Sequence, residues 1–352
     1  MRKTILYIGW VGYGNHGDDV CQEIFADYVH KLAQEHAIEL DIKALFPQNF
    51  SEYTLARIDP DLVVLGAGSL FEPVYLKPLI LAQQYDIPTA VWGSGYDSFA
   101  APSEYFNISP DSAFMLRQAV SRAKLVGVRG SYTKAMLEQI GAVNPTLDVS
   151  GDPGLLLNKT PQTMPELKSI TQPIIGVNWG TALNRVYGGN EFETAQALAQ
   201  VLRKLAEDYT IVIYPVWGKD LQSCQELSTL IGSSKWVITL DRVPTIAELI
   251  DLYQQADFTI NMKLHANVFT AAVNRPFISL AYRLKCFDFA DSVGLSELAL
   301  GFDEPNFEAE LTQRINKLIN NRMHYLQVLD KHVKEYKRKL TDLTSQMIEL
   351  IA

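Results

Sequence analysis

Two short segments, Lys263-Leu264-His265 and Arg283-Leu284-Lys285, place fixed positive charges and a histidine just beyond apolar, strand-like runs. Lysine and arginine stay charged at neutral pH while histidine titrates near it, a combination suited to an anionic substrate whose reaction moves protons. Residues two apart share a side while strand geometry persists, so three cations and His265 are expected on one rim. The chain carries 31 Lys and Arg against 40 Asp and Glu, net −9, and a self-repelling basic rim in such a protein requires an anion to neutralise it. The same balance repels a polyanion, which excludes generic nucleic-acid binding.

Arg129, in Val128-Arg129-Gly130-Ser131, emerges from an apolar run just before a helical pattern. Its planar fork suits a carboxylate or phosphate, and Ser131 reads as an N-cap. Gly12 to Gly17 is formally a GxGxxG turn between strand and helix. Yet the second strand, IELDIKALF, ends in Leu45-Phe46-Pro47 without the acid that would hold a ribose, and Asp18-Asp19 would meet a pyrophosphate at the helix start. A dinucleotide is therefore set aside, and helix capping is the plain reading of Asp19 and, less readily, of Asp18. Gly66-Ala67-Gly68-Ser69-Leu70-Phe71 and Trp92-Gly93-Ser94-Gly95-Tyr96-Asp97 also close strand-like runs. Their amides can face an anion or a sugar, or simply make tight turns.

The elements that must hold these residues alternate short apolar runs with helical periodicity, the signature of open parallel sheets with helices on both faces. Strands are expected at Ile5 to Trp10, IELDIKALF, DLVVLGAG, PTAVWGSG, LVGVRG and TLDVSG, with helices near Asp18 to Glu35 and at SYTKAMLEQIGA. A polar stretch bearing prolines and threonines, Asn158 to Pro173, is the expected linker. The pattern restarts in PIIGVNWG, YTIVIYPVWG, WVITLDR, ADFTINMKLH and PFISLAYR. The expected architecture is α/β: two doubly wound domains, 1–160 and 170–306, facing across a cleft lined by strand carboxyl ends, then a helical segment, 307–352.

In that segment Leu326, Leu329, Val333, Tyr336, Leu340, Leu343, Met347 and Leu350 recur at alternating steps of three and four. This heptad stripe predicts a helix packed across both domains or, alternatively, a homodimer seam. Six Lys or Arg against two acids between Arg322 and Lys339 read as a solvated face, with peripheral contact to an anionic membrane as the minority reading. Nothing approaches the roughly 20 apolar residues of a membrane span. The apolar N-terminus reads as a strand rather than a signal peptide, because no small-residue cleavage site follows it. Cys21, Cys224 and Cys286 are odd in number and far apart, which argues against a disulfide framework or a zinc knuckle and for a reducing cytoplasm.

The whole set is similar to the polysaccharide pyruvyltransferases. The likeness rests on Asn15-His16-Gly17-Asp18 after a glycine turn, the Gly66 to Phe71 turn, VRGSYTKAMLEQIGA, Gly151-Asp152-Pro153 and, most specifically, MKLHANVFTAAVNRPFISLAYRLKCFDFADSVGL. It implies two facing Rossmann-like domains of the glycosyltransferase-B build, with phosphoenolpyruvate as donor on the second domain. The implied acceptor, on the first domain, is a sugar of a polysaccharide or of a carrier- or lipid-linked precursor, converted to a pyruvate ketal. The resemblance implies His265 and Asp18 as catalytic residues and Arg129, Lys263, Arg283, Lys285, Asn15, Gly68 and Ser69 as substrate contacts, and the chemistry demands no metal or cofactor. The chain departs from the family at Lys263, where an arginine is usual, and at Gly130, where an acid is usual. A nucleotide-sugar glycosyltransferase and a non-catalytic sugar-binding relative stay open as alternatives.

Overall fold

The computed structural model describes residues 2–99 and 108–352. Its first half runs β1 (Arg2–Ile8), α1 (His16–Glu35), β2 (Glu39–Leu45), α2 (Glu52–Ile58), β3 (Leu62–Leu65), α3 (Pro73–Gln84), β4 (Thr89–Ser94), α4 (Pro110–Arg122), β5 (Leu125–Val128), α5 (Ser131–Gln139) and β6 (Asp148–Val149). The second runs β7 (Ile174–Asn178), α6 (Glu191–Leu205), β8 (Thr210–Tyr214), α7 (Leu221–Ile231), β9 (Val237–Thr239), α8 (Ile246–Gln255), β10 (Ala256–Asn261), α9 (Leu264–Ala272), β11 (Phe277–Ala281), α10 (Leu284–Ser292) and β12 (Ala299–Gly301). Two helices follow, α11 (Phe307–Asn320) and α12 (Arg322–Glu349).

The strands make two parallel sheets of six, ordered β2-β1-β3-β4-β5-β6 and β12-β11-β10-β7-β8-β9. In each sheet the order reverses once, between β1 and β3 and between β7 and β10, and such reversals open a crevice at the strands' carboxyl ends. Strand alternation sorts the first core: Leu6, Ile8, Val63 and Leu65 pack with residues of α2 to α5, while Ile5, Tyr7, Val64 and Trp92 pack on the other face with Phe25 of α1 and Leu340 of α12. That second face is continuous with the core of the other sheet, so the two halves share one hydrophobic body.

Several expectations change in detail. β1 ends at Ile8, which leaves Trp10 in the turn that follows rather than in the strand. The expected linker is docked: Met164 and Leu167 are buried, and the Met164 amide donates to Asp251 Oδ2 at 2.9 Å. The C-terminal segment is two helices meeting at Asn321, and α12 returns to the first sheet, where Trp92 Nε1 donates to Thr344 Oγ1 at 3.0 Å. Leu329, Val333, Leu340 and Met347 are buried within the chain, so this part of the stripe is intramolecular core rather than a free dimer seam.

Five of the six cations in the basic run on α12 have partners within the chain. Arg322 pairs with Asp257, Lys334 with Asp330, Arg338 with Asp342 and Lys339 with Asp148, while Lys337 Nζ donates to the Ala272 carbonyl. Among the described residues no helix is long and apolar enough to cross a membrane.

Candidate active site

The turns after β1, β4, β5 and β6 meet the segments that follow β8, β10 and β11 at the junction of the two sheets. The Asn15 backbone bridges to Trp217, and the Leu284 amide donates to the Ser98 carbonyl at 3.3 Å. His265 lies in the first turn of α9, because β10 stops at Asn261. The strand alternation expected for Lys263 and His265 therefore does not apply, and the two side chains diverge. His265 Nε2 lies 3.8 Å from Cys21 Sγ of the first half. A Cβ on Gly17 would fall 1.9 Å from His265 Nδ1, so only glycine permits this approach. Lys263 Nζ instead sits 3.1 Å from the fully buried Asp220 and donates to the Thr181 carbonyl at 2.5 Å.

The other cations are matched as well. Arg283 and Lys285 flank the start of α10, and both reach Asp97, at 2.7 and 3.5 Å. The rim is thus not an array of bare charges awaiting a ligand, because buried charges need partners and Asp97 and Asp220 supply them.

Arg129 differs. It is fully buried; Nη2 donates to the Tyr96 carbonyl at 3.1 Å, while Nε and Nη1 have no hydrogen-bond partner among the described residues. Beside it, Gly130 rather than Ser131 is the N-cap of α5, and Ser131 Oγ donates to Asp291 Oδ2 at 2.6 Å. A Cβ on Gly130 would fall 2.1 Å from Asp288 Oδ1. Asp288 comes from α10 and accepts from the Tyr132 amide at 2.9 Å and Thr133 Oγ1 at 2.6 Å. No acid fits at position 130 because a carboxylate from the other half fills that space.

On the first half, Asn15 is the N-cap of α1: its Oδ1 accepts from the Gly17 amide at 3.2 Å and its Nδ2 donates to Asp18 Oδ2 at 2.8 Å. Its bonds thus go to the helix start and to Asp18. Asp19 accepts from the Gly12 amide at 3.1 Å and closes the glycine turn. Ser69, Phe71, Glu72, Tyr96, Asp97 and Ser109 line a cavity of about 200 Å³. Gly68, at φ +123°, turns the chain just before Ser69, and its carbonyl accepts from the Gly95 amide at 2.8 Å.

Burial pushes the Asp18 carboxyl up to about 7, partly offset by Lys285, and the Asp152 carboxyl up to about 6 against the pull of Arg129. Burial, with Arg129 and Lys285 adding to it, holds His265 down at about 3. The expectation that the histidine titrates near neutrality changes: partial burial beside two cations disfavours imidazolium, and Asp18 is the group poised near 7. Cys21, Asp152 and His265 bring ligand atoms within 4.8 Å of one another. They could hold a divalent ion only with the Cys21 thiol ionised, which burial opposes.

Sequence reasoning missed Asp220 and Asp288 and gave no role to Asp97, Asp152, Cys21 or Trp217. Asp97, Asp152, Trp217 and Asp220 could have been found, because each lies in a turn just past a strand, where ligands gather in such sheets.

The family described as polysaccharide pyruvyl transferase matches residues 13–283. Among the curated proteins compared, none matches the chain. The Staphylococcus aureus MnaA–UDP co-structure has a TM-score of 0.64 at 12% identity, covering 93% of this chain and 90% of that one. A UDP-GlcNAc 2-epimerase from Neisseria meningitidis bound to UDP-GlcNAc has 0.60 at 12% identity, covering 99% of each chain. Anabaena HepE in complex with UDP and glucose has 0.55 at 13%, covering 99% and 98%. At these identities the likeness is one of fold, the glycosyltransferase-B build.

Proposed function

We propose that this chain, which belongs to the polysaccharide pyruvyl transferase family, transfers the pyruvyl group of phosphoenolpyruvate to two hydroxyls of a sugar, forming a ketal and releasing phosphate. The observation that carries the reading is Arg129, a fully buried guanidinium with two nitrogens that have no hydrogen-bond partner among the described residues, close enough to His265 and Asp18 to shift their titration. Its fork suits the donor's carboxylate or phosphate, and Lys285, which stays cationic, adds to the field.

The two titrating groups are pushed apart in the pattern that divides acid from base. Asp18, near half-protonated at neutral pH, gives its proton to the donor's methylene carbon, which becomes a methyl group. The adjacent carbon turns cation-like and is attacked by the first sugar hydroxyl, whose proton goes to neutral His265. The carbon–oxygen bond to phosphate then breaks, and the second hydroxyl closes the ketal. Over the cycle one hydroxyl proton replaces the one lost by Asp18 and the other leaves on phosphate. Binding a multiply charged anion beside Arg129 and Lys285 also offsets the field that holds His265 deprotonated, so the donor itself raises the basicity of His265.

A nucleotide-sugar donor ranks second. A cavity of about 1000 Å³ in the second half is lined by Glu193, Asp303, Glu304 and Glu308 with Lys204, a set that could take ribose hydroxyls but repels a diphosphate. Calorimetry with phosphoenolpyruvate and, separately, UDP-N-acetylglucosamine tests the choice. The account expects binding of the first and phosphate release on adding an acceptor glycoside; binding of the second alone overturns it.

A further inference from the structure

The turn between β1 and α1 carries a feature that the donor chemistry does not use. Trp10 and Tyr13 are 38% and 47% exposed, and their rings stack with centroids 4.4 Å apart and planes 29° apart. Phe46, just past β2, meets both edge-on at 5.2 and 5.6 Å, and Tyr75 of α3 backs Phe46 at 5.8 Å. Gly12 and Gly14, at φ +87° and +66°, flank Tyr13, and the Gly12 amide is tied to Asp19. The exposed pair is therefore braced by aromatic edges and held by a turn that only glycines form readily.

We propose that Trp10 and Tyr13 form the platform on which the acceptor's pyranose ring stacks, and that this ring is neutral rather than a uronic acid. The proposal rests on the pyruvyl-transfer reading for the chemistry that follows binding. Exposed stacked aromatics are uncommon on a soluble surface and mark contact sites, and a flat ring face suits the C–H face of a sugar while the indole N–H and phenol O–H remain for its hydroxyls. Continuity with the catalytic groups fixes the occupant: the same turn ends in Asn15, which bonds Asp18, so a ring on the platform lies next to the proposed acid. Charge narrows the class, because Asp18 and Asp19 stand in the first turn of α1 and Glu72 just before α3, a setting that repels a sugar carboxylate.

The test uses the full chain labelled with 5-fluorotryptophan and read by ¹⁹F NMR, with Trp10 assigned among the five tryptophans by Trp10→Phe. Methyl β-glycosides of galactose, glucose, mannose, N-acetylglucosamine and glucuronic acid are titrated with and without phosphoenolpyruvate. The proposal expects the Trp10 resonance to move with at least one neutral glycoside, to stay in place with the glucuronide, and to lose its response in Tyr13→Ala. With the responding glycoside as acceptor, Tyr13→Ala should raise the acceptor KM at least tenfold while phosphoenolpyruvate affinity stays within twofold. No shift with any neutral glycoside overturns the proposal, as does an equal response to the glucuronide. A Trp10 shift that follows protein concentration alone assigns the platform to a second copy and also overturns it. A sugar-dependent shift without phosphoenolpyruvate turnover leaves the platform standing and counts against pyruvyl transfer instead.

Discussion

Arg283 and Arg129 are both arginines at strand ends on the same junction, and only the first has an ion-pair partner among the described residues. Arg283 is ion-paired with Asp97 at 2.7 Å, a carboxylate it shares with Lys285, and leaves Nε alone without a hydrogen-bond partner, whereas among the described residues Arg129 has no ion pair and leaves both Nε and Nη1 without one. The first pairing braces the contact between the halves, since Asp97 follows β4 and Arg283 follows β11. The lesson is that positive residues in a sequence do not by themselves mark an anion site; what matters is which of them the fold leaves unmatched.

The largest expected effect lies on the unmatched side. His265→Gln keeps a polar side chain but removes the proton acceptor, so ketal formation should fall by roughly 10²–10⁴-fold with the thermal midpoint nearly unchanged. Turnover within tenfold of the parent would contradict the assignment. Next comes Arg129→Lys, which keeps the charge but not the fork. Phosphoenolpyruvate affinity should drop by about 1.5–3 kcal/mol, the size of charge-assisted hydrogen bonds, as read by calorimetry. Arg283→Ala should do the reverse: donor affinity roughly unchanged, folding stability lowered by about 1–3 kcal/mol in denaturant titrations, because Asp97 loses its closest partner.

The raised carboxyl of Asp18 makes a pH prediction. A group whose folded pKa, about 7, exceeds its unfolded value near 4 adds stability below pH 4 that is lost as pH rises through 7. Asp18→Asn should therefore flatten this fall and be more stable than the parent at pH 8 by up to about 4 kcal/mol, while losing transfer activity. A parent whose stability does not depend more steeply on pH than the variant's between pH 4 and 8 would contradict the burial assigned to this group. Gly130→Ala pushes a methyl group into Asp288 and should cost about 1–3 kcal/mol by overpacking, measured as a lower thermal midpoint. The smallest effect is expected for Lys263→Arg, within about threefold in activity, because Lys263 is engaged by Asp220 and the Thr181 carbonyl rather than turned toward His265.

Much of the frame was legible in the sequence. The alternating apolar runs announced both parallel sheets, and the strand-end rule led to Arg129 and His265, because buried strands and glycine turns are local patterns, while Asp18 read as a helix cap and entered the site only through the family resemblance. What stayed hidden was pairing across the junction. Nothing local tells that Asp97 answers Arg283, that Asp220 answers Lys263, or that Asp288 fills the space beside Gly130, since these partners are brought together only when the sheets dock. The titration of His265 was hidden for the same reason: its pKa depends on burial and on Arg129 and Lys285, neither of which is its neighbour in sequence. The heptad stripe was visible, but a repeat of threes and fours does not say whether its partner is another chain or, as Trp92 and Thr344 show, the chain's own first sheet.

The central claim, that the unmatched arginine and not the matched one receives the donor, is tested most directly by titrating phosphoenolpyruvate into the parent, Arg129→Lys and Arg283→Lys proteins in one calorimetric series. The account predicts at least a tenfold loss of affinity in Arg129→Lys and less than threefold in Arg283→Lys. Affinity lost in Arg283→Lys and retained in Arg129→Lys would contradict it.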